Sequence, residues 1–211
     1  MRIAGLWITL WCCGLVPGNL LHAAEKLEAF GQTWSVPAAA DWLNLHDEGV
    51  PVLRLNHERG PLPGPRRPIQ FALAQTPDLG DVTVDADVMP LGRSLLFVFA
   101  YRDAAHFDYA HLSIDTATAQ PHHNGIFHVY DGERVRISAA AGPPAFSASK
   151  RWYHVQLTRD AKTGKVQVNV DGQPIPALTA VDVSLAEGKV GIGSFDETAQ
   201  FKNVRISAAR P

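Results

Sequence analysis

Cysteine is almost missing from this 211-residue chain: the two present, Cys12 and Cys13, both fall inside one apolar N-terminal run. Beyond that run nothing can form a disulfide, act as a thiol nucleophile or bind zinc through sulfur. A basic stripe is also missing. Lysine and arginine are scattered and the formal net charge is −2, which excludes a surface built to follow a phosphate backbone, so nucleic acid is not expected as a partner. No window of eleven or more residues keeps helical spacing, and no second apolar run approaches membrane-spanning length.

What is present begins with a targeting signal. Arg2 precedes an apolar run from Ile3 to Val16, followed by Pro17-Gly18 and the small residues Ala23-Ala24. This is the layout of a secretory signal peptide over 1–24, too short to span a bilayer. Neither Leu21 nor His22 is the small residue preferred at the −3 position, which leaves an uncleaved anchor as the alternative. Trp11 stands where a lipoprotein signal needs a small residue, so no lipid anchor is read. The mature chain is expected to be periplasmic or secreted, with no membrane association. Its length suits one large β domain that needs no covalent staples.

After a leader over 25–50 with little periodicity, strand character dominates 51–208. The proline-rich stretch 60–68 reads as a rigid loop, with Arg66-Arg67 as solvated charge. Ile69–Leu73 and Asp81–Val88 alternate apolar and polar residues, and Leu95–Tyr101 is apolar throughout, as in a strand covered on both faces. Further runs of the same kind continue to Ile206. Closely spaced strands with short turns predict an all-β, two-sheet antiparallel jelly-roll sandwich.

Two hairpins allow faces to be assigned. Around Asp131-Gly132, a three-residue loop would set Phe127 opposite Val135. Phe127, Val129, Val135 and Ile137 would then face the core, with His128, Tyr130, Arg134 and Arg136 on the other face. In the Trp152-to-Val170 hairpin, Val155, Leu157, Val166, Val168 and Val170 face inward, leaving Trp152, His154 and Gln156 outward.

The run Trp152-Tyr153-His154-Val155-Gln156-Leu157-Thr158-Arg159-Asp160, then Thr163-Gly164-Lys165-Val166 and Val170-Asp171-Gly172-Gln173-Pro174, resembles laminin-G-like and concanavalin A-like domains. Gly188–Asp196 and Phe201–Ile206 resemble their closing strands. Within that superfamily the chain is most similar to exported bacterial domains of the 3-keto-disaccharide hydrolase (keto-glycoside lyase) type. The resemblance implies fold more strongly than activity. Asp85-Ala86-Asp87 lacks both glutamates of the E-x-D-x-E strand of laminarinase-type glycosidases, so their two-carboxylate mechanism is not expected.

Strand geometry puts Tyr109 and His111 opposite Ala110, Leu112 and Ile114. Together with His128, Tyr130, Arg136, Trp152, His154 and Gln156 they predict one polar, aromatic face of the kind on which such folds bind saccharides. His111 and His128 are the candidate acid–base pair, with Arg136 or Tyr109 polarising a carbonyl oxygen; histidine titrates near neutrality. His122-His123 reads as a loop edging that cleft, and Asp196-Glu197 as a solvated turn. No cofactor and no metal site are expected. Three functions stay open: a glycan hydrolase or 3-keto-glycoside lyase, a non-catalytic lectin-like module, and a laminin-G-type protein-interaction domain. The oligomeric state is not legible.

Overall fold

The computed structural model describes residues 24–60 and 64–208. Apart from Ala24, the expected signal peptide lies outside the described residues. The strands are, in chain order, β1 (Glu25–Ala29), β2 (Gln32–Val36), β3 (Trp42–Asp47), β4 (Val50–Leu55), β5 (Gln70–Ala74), β6 (Val82–Pro90), β7 (Ser94–Asp103) and β8 (His106–Ser113). They continue with β9 (Gly125–Tyr130), β10 (Glu133–Arg136), β11 (Tyr153–Arg159), β12 (Lys165–Val170), β13 (Gln173–Val181), β14 (Lys189–Ser194) and β15 (Ala199–Ser207). No helix among the described residues is long and apolar enough to cross a membrane.

The chain folds as the expected two-sheet jelly roll. The larger sheet has the order β1-β2-β5-β14-β7-β8-β9-β10 and the smaller β13-β12-β11-β6-β15-β4-β3. The leader over 25–50 is corrected by the structure. It supplies β1 and β2 to one sheet and β3 to the other, and Trp34 is fully buried in the core. Its alternation is hard to read because β1 and β3 are edge strands, short and exposed on most of their positions.

Between the sheets, Leu95, Phe97, Phe99, Ala110, Leu112 and Ile126 meet Val84, Val88, Val155, Leu157, Val166 and Val168. The Trp152-to-Val170 hairpin has the expected faces. A second apolar cluster, Phe71, Leu96, Val98, Phe107, Tyr109, Phe127, Val129 and Phe195, occupies the outer face of the larger sheet. With alternate residues facing opposite ways, β7, β8 and β9 are buried on both sides.

That double burial explains the largest departure from the sequence reading. The β9–β10 hairpin has a two-residue turn, pairing Tyr130 with Glu133, His128 with Val135 and Phe127 with Arg136. Asp131 (φ 50°) and Gly132 (φ 79°) are both left-handed, as a tight turn between twisted strands requires. Ile126 faces the core in place of Phe127. Phe127 and Val129 share the outer face with Arg134 and Arg136, while His128 points to the opposite side. Apolar and charged neighbours coexist because guanidinium lies over aromatic: the Arg134 Cζ is 5.7 Å from the Phe127 ring centre and 4.7 Å from that of Phe195.

Candidate functional site

The outer face of the larger sheet carries a pocket of about 200 Å³ lined by Arg66, Ser94, His111, His123, Arg134, Phe195, Asp196 and Glu197. Its floor is His111, on the outer face of β8. His111 is 3% exposed, and neither of its buried ring nitrogens makes a hydrogen bond of normal geometry to the protein. Burial, reinforced by His123 and Arg134, pushes its pKa down to about 3, against a weak opposing pull from the His122 backbone. Near neutral pH it is therefore an uncharged ring with one donor and one acceptor. The Phe195 ring lies beside it, 5.8 Å between centres and 25° between planes.

Each wall is held by a local device. Arg134, on β10, donates to the Tyr109 hydroxyl at 3.3 Å. Tyr109 is itself buried and stacked on Phe127, with centres 5.0 Å apart. Burial raises the Tyr109 phenol to about 12, so it stays protonated. In the β14–β15 turn, Glu197 accepts from the Arg93 and Ser94 backbone and from the Ser94 hydroxyl. Asp196 pairs with Arg66, whose guanidinium is 5.2 Å from the Phe195 ring centre. Arg66 and Asp196-Glu197 are thus pocket walls, where the sequence suggested solvated charge.

His123 closes the opposite side. Buried Asn124 pins its loop, accepting from the Ser113 and Ala145 backbone and donating to the Asp115 carbonyl. His123 Nδ1 then lies 2.6 Å from an Asp115 carboxylate oxygen, and Nε2 has no protein partner among the described residues. Burial would raise the Asp115 carboxyl, but bonds from Arg93, His123 and Ser113 outweigh it and hold the group below its usual range. An imidazole oriented by an ionised carboxylate is the arrangement of a general base. The two histidine rings are 5.2 Å apart.

The expected single face divides into separate regions. His111 and Tyr109 belong to the pocket region, though Tyr109 lies beneath Arg134 and is fully buried. His128 is on the other side of the same sheet, paired across strands with Asp108, so it cannot serve as the partner of His111. Tyr130 is 64% exposed and stacks on His128. Arg136 donates to the carbonyls of Asn124, Ser138 and Ala140, leaving it a structural tie and not a ligand group.

Trp152, His154 and Gln156 belong to the smaller sheet. There the Lys202 ammonium sits over Trp152, and His154 bonds Asp87. That bond, helped by Asp85, raises the His154 pKa. The sequence reading missed Arg66, Arg134, Phe195, Asp196 and Glu197 as site residues. The Asp131-Gly132 turn signal was the one clue, since a two-residue turn places Arg134 on the face of Phe127 and Tyr109.

Solved structures with this architecture include carbohydrate-active proteins. The carbohydrate-binding module CBM66 of Bacillus subtilis is similar over 79% of this chain and 90% of its own, at 20% identity and a TM-score of 0.56. A protein of Parabacteroides distasonis, provisionally described as a glycosyl hydrolase, matches 82% of this chain and 92% of its own at 12% identity and TM-score 0.53. A xylan β-1,4-xylosidase of Bacillus halodurans matches 82% of this chain but only 36% of its own, at 14% identity and TM-score 0.52. At such identities the likeness is one of fold alone: a two-sheet antiparallel jelly-roll sandwich. No family model matches the sequence, and no curated protein sequence matches it.

Proposed function

We propose that this is an exported carbohydrate-recognising domain that seats a neutral sugar residue in the His111 pocket. The observation that carries the reading is the unpartnered imidazole at the pocket floor, between two guanidiniums and two carboxylates and beside an aromatic ring. Arg66 and Arg134 balance Asp196 and Glu197, and His111 is uncharged, so these groups add no net charge. Such a lining suits a polyhydroxyl molecule better than an anion. Hydroxyls both donate and accept, matching an imidazole, guanidiniums and carboxylates in turn, and a pyranose face packs on an aromatic ring. The volume accommodates one ring and not a long chain. The carbohydrate-active proteins that share the architecture support the same reading.

Calorimetric titration of the mature protein with a panel of neutral mono- and oligosaccharides tests this. The expected result is binding that weakens at least tenfold in His111→Phe and in Arg134→Met, and is unchanged in His154→Gln on the other sheet. Binding by no panel member, or loss in His154→Gln with retention in His111→Phe, would overturn it.

The Asp115–His123 pair favours a second reading, in which the same pocket acts on a glycan. For a 3-keto glycoside, His123 Nε2 would take the proton next to the carbonyl, with Arg66 or Arg134 beside the carbonyl oxygen. The electron pair expels the glycosidic oxygen, which leaves protonated by solvent. His123 replaces His111 as the base, because an imidazole driven to about pKa 3 is a poor proton acceptor. Mass-spectrometric assay of plain and 3-keto disaccharides should then show turnover lost in His123→Gln while binding persists. Absence of turnover in the wild type leaves the binding reading alone.

A further inference from the structure

Among the described residues, one group of three ligating side chains comes together, and it lies away from the sugar pocket. Asp108 and His128 are cross-strand partners on the inner face of β8 and β9. Asp182 follows β13, the edge strand of the smaller sheet, and reaches across the seam between sheets. The His128 Nδ1 is 2.7 Å from one Asp108 oxygen and 3.2 Å from an Asp182 oxygen, with the Ser184 hydroxyl at 3.5 Å. One ligand atom from each of the three residues can be chosen so that all lie within 4.8 Å of one another.

Hydrogen bonding does not satisfy this cluster. An imidazole nitrogen carries one proton at most, and here two carboxylates and a hydroxyl surround it. Asp108 is 1% exposed and its second carboxylate oxygen has no partner at all. A buried, half-paired carboxylate is costly unless a cation meets it. The nearby guanidinium of Arg159 acts on Asp108 and Asp182 through its charge alone; it gives the orphaned oxygen no hydrogen bond, since it donates to the backbone carbonyls of Gly80, Leu185 and Ala186. The other Asp182 oxygen accepts from the Ser184 backbone, which fixes that carboxylate towards the seam.

We infer that Asp108, His128 and Asp182 form a binding site for a divalent first-row transition ion, best suited to zinc, that clips the two sheets together. One imidazole nitrogen and two carboxylate oxygens are the mixed donor set that such ions accept. With bonds of roughly 2.0–2.2 Å, donors around a tetrahedral ion stand about 3.3–3.6 Å apart, so the His128–Asp182 spacing already fits and the His128–Asp108 contact needs to open by only a fraction of an ångström. The fourth position falls to the Ser184 hydroxyl or to water. Because two ligands come from the larger sheet and one from the segment that follows β13 of the smaller, the ion would tie the two sheets directly, and occupancy would raise stability.

The test uses the full mature chain without a histidine tag, stripped with chelator and dialysed. Zinc is titrated by calorimetry, and cobalt(II) by its visible ligand-field absorption. The expected result is one equivalent bound, a raised thermal midpoint reversed by chelator, and at least a hundredfold weaker binding in Asp182→Asn. His154→Gln, which removes the histidine–carboxylate cluster of the smaller sheet, should bind as wild type. Should Asp182→Asn fail to fold, the cobalt spectrum and the chelator-sensitive midpoint of the wild type decide. No uptake of either ion by the wild type, or uptake lost in His154→Gln and kept in Asp182→Asn, would overturn the site.

Discussion

His111 shows what a single buried polar side chain does to the molecule. Its folded-state pKa of about 3 lies below the ordinary 6.5, so the unfolded chain takes up that proton first. Stability from this group is intact above pH 6.5. It falls as the pH drops towards 3, by at most about 1.4 kcal/mol per pH unit. His111→Phe deletes the titration while keeping a ring of similar shape. Urea unfolding at pH 7, 5 and 4 should show the difference between variant and wild type moving in favour of the variant as the pH falls. A constant difference across the three would mean that the imidazole is not desolvated as described. Retaining a partnerless histidine at the cost of acid stability makes sense where a ligand supplies the missing hydrogen bonds.

At the level of elements, β8 and β14 set the geometry of the outer face. Gly193, on β14, has room for no side chain: an added Cβ would stand 2.2 Å from the Gln70 carbonyl oxygen and 2.6 Å from the Phe71 Cα. Gly193→Ala should therefore destabilise by about 1–3 kcal/mol through overpacking, read from the urea midpoint. Gly132→Ala is expected to cost roughly 1 kcal/mol for a different reason, the left-handed backbone of the β9–β10 turn. Gly132→Asn should recover part of that loss, because asparagine tolerates the same conformation. This hairpin also marks where the sequence became ambiguous. Hydrophobic pattern selects a register only when one face is apolar, and here Ile126 and Phe127 are both buried, on opposite sides. Turn chemistry, with Asp-Gly suited to two left-handed positions, was the better guide. Where one face alone is covered, as in the β11–β12 hairpin, alternation gave the correct assignment.

For the whole molecule, the strand order brings distant segments together: β2 and β14 flank β5, and β15 lies between β4 and β6. Loop closure over such separations slows folding, so refolding from urea should take about milliseconds to seconds or longer, in more than one phase; a single submillisecond phase in stopped-flow fluorescence would contradict this topology. The same non-locality limits what a sequence can tell about the site. The strands were legible from local period, but the pocket draws on residues 66, 111, 123, 134 and 195–197, which meet only after both sheets assemble. The larger sheet, covered on both sides, carries one last implication. Along β8, neighbours in the chain answer to different masters: Ala110 and Leu112 to the interior between the sheets, Tyr109 and His111 to the outer face with its apolar cluster and pocket. A saturation-mutagenesis survey scored separately for expression and for ligand capture should therefore divide along this strand. Ala110, Leu112, Phe107 and Tyr109 would be depleted in the first score, and His111, the strand's one pocket-lining residue, more strongly in the second.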